Sequence, residues 1–202
     1  MSDRLKFSVN WDYRCPFARN LHDYVITGLQ AGAAWDVTFE PFCLGQTHRQ
    51  EGEPNIWDHW QDDTGMLALQ AGVVVRDTFP DRFLDTHEAL FALRHDHGGQ
   101  LSHEKAIRGV LEEQHIDADA VFSRIATGEP LLTVQQAHEA TAKSHEVWGV
   151  PTLIRGSSAV FARVMNRPQG NSAEAIAYIE RIVDLIDNFP ELNEFKHTSL
   201  PR

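Results

Sequence analysis

The residues able to do chemistry in this chain gather around two cysteines, Cys15 and Cys43. Cys15 follows Tyr13 and Arg14 and precedes Pro16 and Phe17, with Arg19 one helical turn further on. A Cys-Pro pair placed where a strand pattern gives way to helical spacing puts the thiol at a helix start, where backbone N–H groups lack partners. Proline suits the first helical position because its missing N–H would have had no partner there. The helix dipole favours an anion at that end, so the spacing predicts a thiolate of lowered pKa, aided by Arg14 and Arg19. The same two arginines are candidate anchors for a substrate carboxylate or phosphate, the alternative being solvated surface charges. Tyr13 offers a hydroxyl that could hydrogen-bond a bound thiol. His22 is a candidate proton donor, or else a partly exposed surface histidine. Cys43 ends a second strand pattern at the same sheet edge. It is either a resolving thiol, which needs Cα atoms within about 7 Å of those of Cys15, or a buried inert one. His95, His97 and His103 match no closed zinc spacing, and no metal site is expected.

The elements that must position these groups follow from periodicity. Residues 5–11 alternate apolar and polar, a strand signal. Apolar positions at 17, 21, 24, 25 and 29 then describe an amphipathic helix that stops near Gly32. Residues 35–44 read as a second strand with Trp35, Val37 and Phe39 on one face, and Pro41 limits pairing near its end. This β-α-β unit predicts parallel strands with a right-handed crossover. Residues 44–148 carry no convincing strand but helical patterns over roughly 81–97, 102–113, 117–125 and 131–147. Trp57, Trp60, Phe79 and Phe83 belong to this section and either roof an apolar pocket over Cys15 or pack into a core. Residues 150–154 and 159–165 predict a β-hairpin around Gly156, and Asn171 to Glu174 resembles a capping box that opens a last helix. The order β-α-β, helical insertion, β-β-α predicts an α/β chain with a thioredoxin-like fold. That core is discontinuous, over residues 1–43 and 149–190, with a helical domain at 44–148 and a polar tail at 191–202.

A net charge of −11 argues against non-specific binding to nucleic acid or to anionic membranes. No apolar run approaches a membrane span, and the opening Met1-Ser2-Asp3-Arg4-Leu5 has no apolar signal core. With two cysteines and no expected disulfide framework, a reducing cytoplasm is the expected setting.

The chain resembles the DsbA-like branch of the thioredoxin superfamily. The likeness rests on Cys15-Pro16-Phe17-Ala18 after the first strand, the helical insertion, Trp148-Gly149-Val150-Pro151-Thr152, and the closing β-β-α. Within the branch it is most similar to mycothiol-dependent nitroreductase-like proteins of Actinobacteria. It is more distantly similar to 2-hydroxychromene-2-carboxylate isomerases and kappa-class glutathione transferases. The resemblance implies a cis Val150–Pro151 bond opposite Cys15, and a Val150 backbone that pairs with bound thiol compounds. Beside Val150 and Pro151, the residues themselves offer Tyr13, Arg14, Pro16, Phe17 and Arg19 as candidates for a thiol-binding surface, with Phe17 fitting the core or the helical insertion more readily than a substrate.

One departure narrows the chemistry. Where relatives carry Cys-x-x-Cys, this chain has Ala18 in the fourth position, so a neighbouring internal disulfide is excluded. What remains is a single-thiol cycle with a low-molecular-weight thiol as co-substrate, such as mycothiol or glutathione, and no tightly bound cofactor. The expected partners are that thiol and a small electrophilic or disulfide substrate; assembly stays open between monomer and homodimer. Two other classes remain open: a thiol-dependent isomerase or transferase without net redox change, and a non-catalytic binding protein. The last predicts an ordinary Cys15 pKa of about 8.5.

Overall fold

The computed structural model describes residues 4–200. Strand β1 (Leu5–Trp11) runs into helix α1 (Pro16–Gln30), and β2 (Trp35–Pro41) returns parallel to β1. Near the end of the chain, β3 (Thr152–Arg155) and β4 (Ser158–Phe161) form an antiparallel hairpin, and α8 (Ser172–Asn188) closes the core. The sheet order is β2-β1-β3-β4, with β1 antiparallel to β3. This is the β-α-β and β-β-α order expected from periodicity.

Each boundary has a local cause. Strand β2 stops at Pro41 rather than 44 because Pro41 has no N–H to give the ladder and Cys43 already caps the next helical turn. The hairpin partner ends at Phe161 rather than 165; one further ladder bond, from the Ala162 N–H to the Pro151 carbonyl, is all that follows it. Helix α8 begins as a capping box, with the Asn171 side chain accepting from the Glu174 N–H, and buries Ile179, Val183 and Ile186. It packs on α1 and under β3 and β4.

Between the two β units lie α2 (Leu44–Thr47), a 3₁₀ segment (Ile56–Asp62), α3 (Met66–Thr78), α4 (Pro80–His95), α5 (Glu104–Glu113), α6 (Ala118–Ala126) and α7 (Glu129–His145). Helix α3 was not expected. It is the hub of this section, packed against α4, α5, α6 and α7, and it buries residues all round rather than along one stripe. A helix apolar on every side shows no 3.6-residue contrast, and that contrast is what periodicity detects. Trp57, Trp60 and Phe79 are half-buried and Phe83 is buried, all packed on the core; Phe83 meets Trp11, Phe39 and His87 rather than Cys15. Of the two readings for these aromatics, the core one holds. Among the described residues, no helix is long and apolar enough to cross a membrane.

Candidate active site

Cys15 caps helix α1. Its backbone is extended, its N–H bonds the Asp12 carbonyl, and its Sγ accepts from the Ala18 N–H at 3.4 Å. Pro16 follows at the first helical position. Across from it, Val150 precedes a cis Val150–Pro151 bond, and the Cys15 Sγ lies 3.3 Å from the Val150 carbonyl oxygen. A carbonyl only accepts, so this contact belongs to the protonated thiol.

The expected low pKa is not found. Burial pushes the Cys15 thiol above its ordinary value; the Ala18 and Phe17 N–H groups and the Arg163 charge pull the other way without overcoming it. Cys15 is 8% exposed, and in so dry a position the helix terminus only partly offsets desolvation.

The proline loop is strapped to β1 by Asn10, a fully buried residue that periodicity placed on a polar strand face. Its Nδ2 donates to the Gly149 carbonyl at 3.0 Å, and its Oδ1 accepts from the Thr152 N–H at 2.6 Å. The Thr152 hydroxyl also donates to Gly149, at 2.8 Å. Nothing local in the sequence reveals this role, because its partners Gly149 and Thr152 lie 139 and 142 residues further along the chain.

A buried chain of polar groups runs behind the thiol. The His22 Nε2 bonds the Asn10 carbonyl at 3.0 Å, the His87 Nε2 meets the His22 Nδ1 at 2.9 Å, and the Tyr13 hydroxyl meets the His87 Nδ1 at 2.8 Å. The carbonyl can only accept, so His22 carries its proton on Nε2. With both rings neutral, His87 must then donate to His22, and Tyr13 to His87. Burial drives both rings to neutrality: His22 is lowered to about 4 and His87 falls well below its ordinary value. Burial likewise holds the Tyr13 phenol well above its range. Two expectations are thereby corrected. Tyr13 is fully buried with its hydroxyl committed to His87, so it does not face a ligand, and His22 is a fully buried network member rather than a surface residue. Gly72 lets α3 lie this close, since a Cβ there would stand 2.4 Å from the Tyr13 hydroxyl.

The arginines expected to serve the thiol are occupied. Arg14 forks onto Asp12 (2.6 Å) and Asp63 (2.7 Å), and Asp12 also accepts from the Leu44 N–H. Burial works against the Arg14 charge, but the adjacent Asp12 and Asp63 more than offset it and hold the guanidinium above its ordinary value. Gly65 leaves room for this fork; a Cβ there would lie 2.6 Å from the Arg14 Nε. Arg19 pairs with Asp96. Arg14 therefore holds the thiol loop, and Arg19 helix α1, to the helical section, and free anchoring charges are not what they supply.

Cys43 caps α2 as Cys15 caps α1, its Sγ accepting from the Gln46 N–H at 3.4 Å, with an Arg14 Nη2 at 3.8 Å. Burial pushes its thiol up to about 12, and its own N–H donates to the buried His138. Both cysteines are free. Phe17 is half-buried against the core with the Arg163 guanidinium 4.7 Å over its ring, and Trp148, 63% exposed, packs against Phe161 with ring centroids 4.7 Å apart and planes tilted by 35°. His95 bonds the Tyr13 carbonyl, and among the described residues no cluster of His, Cys, Asp and Glu is suited to a metal.

With a helix-capping thiol set against a cis-proline loop and a helical insertion between the two β units, the architecture can be compared with solved structures. A 2-hydroxychromene-2-carboxylate isomerase superposes with a TM-score of 0.60 at 12% identity, covering 94% of this chain and 100% of the other. The thiol-disulfide exchange protein α-DsbA2 of Wolbachia pipientis gives 0.61 at 15% identity, over 91% and 82%. DsbA of Pseudomonas aeruginosa gives 0.59 at 15% identity, over 95% and 86%. The chain has the DsbA-like thioredoxin fold. No protein-family model and no curated protein sequence matches it. In this thioredoxin-like fold Cys15 and the Val150–Pro151 loop face each other, Trp148 directly precedes that loop, and the charge of Arg163, which sequence reasoning did not single out, reaches the thiol. Arg163 lies in the predicted hairpin strand, but no spacing in the sequence ties it to Cys15.

Proposed function

We propose that the protein is a thiol-dependent oxidoreductase that works through Cys15 alone, with a low-molecular-weight thiol such as mycothiol or glutathione as co-substrate. The observation that carries this reading is the Cys15 thiol, capping α1 and touching the Val150 carbonyl, with Ala18 where a second thiol would have to stand. In the cycle, Cys15 gives its proton to solvent and its thiolate attacks one sulfur of a small mixed disulfide. That S–S bond breaks, the other half leaves as a thiolate, and Cys15 is left in mixed disulfide. A second small thiolate then attacks the adduct, restores Cys15 and carries away the oxidised disulfide. The Ala18 and Phe17 N–H groups receive the thiolate at each release. The cycle draws on a reduced thiol pool, which suits the cytoplasm. The test is turnover of a mixed disulfide of glutathione, coupled to NADPH through glutathione reductase, by the wild type and by Cys15→Ser. The reading requires turnover and its loss in the variant; activity that survives the substitution overturns it.

The full-length match to a 2-hydroxychromene-2-carboxylate isomerase favours one second reading, an isomerase in which a thiol adds to substrate and leaves again. Such an enzyme consumes no NADPH in the coupled assay, yet it still needs its thiol.

A further inference from the structure

The arginines near the thiol differ in one respect. Arg14 is neutralised by Asp12 and Asp63, Arg19 by Asp96, and Arg167 by Asp23. Arg163 is exposed and, among the described residues, pairs with no carboxylate, in a chain of net charge −11. It is nevertheless held in place. Its guanidinium lies 4.7 Å over the Phe17 ring and 6.0 Å from Phe161, and the next residue is pinned to α1 by the Asn20 side chain donating to the Val164 carbonyl at 3.0 Å. Phe161 in turn packs against Trp148, which sits directly before the proline loop. Trp148, Phe161, Arg163 and Phe17 thus form a row of adjoining planar groups. The row runs from the residue before the proline loop to helix α1, whose N-cap is Cys15.

We propose that Arg163 is an anion subsite beside Cys15 and takes a carboxylate of a thiol compound whose organic part lies on the exposed face of Trp148. A guanidinium packed over an aromatic ring can keep its N–H edges free, and those edges are the fork that a carboxylate matches with two parallel hydrogen bonds. A large exposed aromatic beside a reactive group is surface that a ligand can cover. The Arg163 charge also acts on the Cys15 thiol, which places the two in one electrostatic neighbourhood. The inference deepens the single-thiol reading by choosing among co-substrates: carboxylate-bearing thiols of the glutathione type over an uncharged sugar thiol.

Two measurements test it. In a Cys15→Ser background, binding of S-methylglutathione is followed by quenching of tryptophan fluorescence, with and without Arg163→Gln or Arg163→Lys. The glutamine variant is expected to weaken binding about three- to fivefold at low salt, the size of an exposed ion pair, and the lysine variant to restore part of it. Equal affinity in all three overturns the proposal. With Cys15 intact, the rate of mixed-disulfide formation is compared between glutathione disulfide and the neutral 2-hydroxyethyl disulfide. Arg163→Gln raises the thiol pKa and so slows both; the proposal requires the glutathione rate to fall further, and an equal fall overturns it. If Cys15 forms no adduct while binding still depends on Arg163, the redox reading fails and the anion subsite stands.

Discussion

The Cys15 Sγ rests 3.3 Å from the Val150 carbonyl oxygen, so the thiol and the proline loop are joined by a contact that only the protonated sulfur can make. Burial pushes the thiol the same way. The midpoint of Cys15 alkylation by iodoacetamide should therefore lie above the ordinary value of about 8.5, and Arg163→Gln should raise it further. Cys43, pushed up to about 12, should stay unlabelled at pH 8. A Cys15 midpoint below 7 contradicts this electrostatic account. Because the resting pKa is raised, it no longer separates the enzyme from a non-catalytic binding protein; adduct formation does.

Asn10 holds the proline loop with two buried hydrogen bonds of its side chain. Asn10→Ala strands the Thr152 N–H and removes one of two donors to Gly149, so it should cost about 1–3 kcal/mol in urea unfolding. The folded variant should also lose thiol reactivity beyond any change in Cys15 pKa, because the loop facing the sulfur is freed. A variant as stable and as reactive as the wild type would show that the strap does nothing.

Arg14 is the tie between the thiol loop and the helical section. Arg14→Gln leaves Asp12 and Asp63 buried without their cation and should destabilise by about 3–5 kcal/mol. Gly65→Ala should also destabilise, since its Cβ meets the Arg14 side chain at 2.6 Å. The paired change Arg14→Ala with Gly65→Ala relieves that clash, so the two costs should not add. Full additivity in thermal or urea unfolding would contradict the fit of Gly65 around Arg14.

The histidine chain sets an acid limit. The folded pKa of His22 is depressed from 6.5 to about 4, so the unfolded chain binds the extra proton between those values. The stability owed to neutral His22 is whole above about pH 6.5 and is lost as pH falls toward 4. His87 acts in the same direction. His22→Gln should lower stability at pH 7 yet flatten this loss, as read from urea midpoints across the range. An unchanged slope would mean that the ring is not buried neutral.

The parts of the site legible in the sequence were the local ones. Cys15-Pro16 after a strand pattern carries its own helix start, and Val150-Pro151 opens its own hairpin strand. The β-α-β and β-β-α order follows from period-two and helical spacing. What sequence adjacency misled was the assignment of charge. Arg14 and Arg19 neighbour the thiol along the chain, but their carboxylate partners, Asp63 and Asp96, come from the helical section. Asn10, His22 and His87 were missed as a network for the same reason, because their meaning depends on groups far along the chain. Helix α3 hid its periodicity by being buried on every side.

The single-thiol cycle is tested most directly by intact mass and peptide mapping of the folded protein after incubation with glutathione disulfide. The account predicts one glutathione per chain, on the Cys15 peptide, that persists until a second small thiol is added and then leaves. A Cys15–Cys43 disulfide formed by expulsion of the adduct, or an accessible Cys15 that takes no adduct at all, would contradict it.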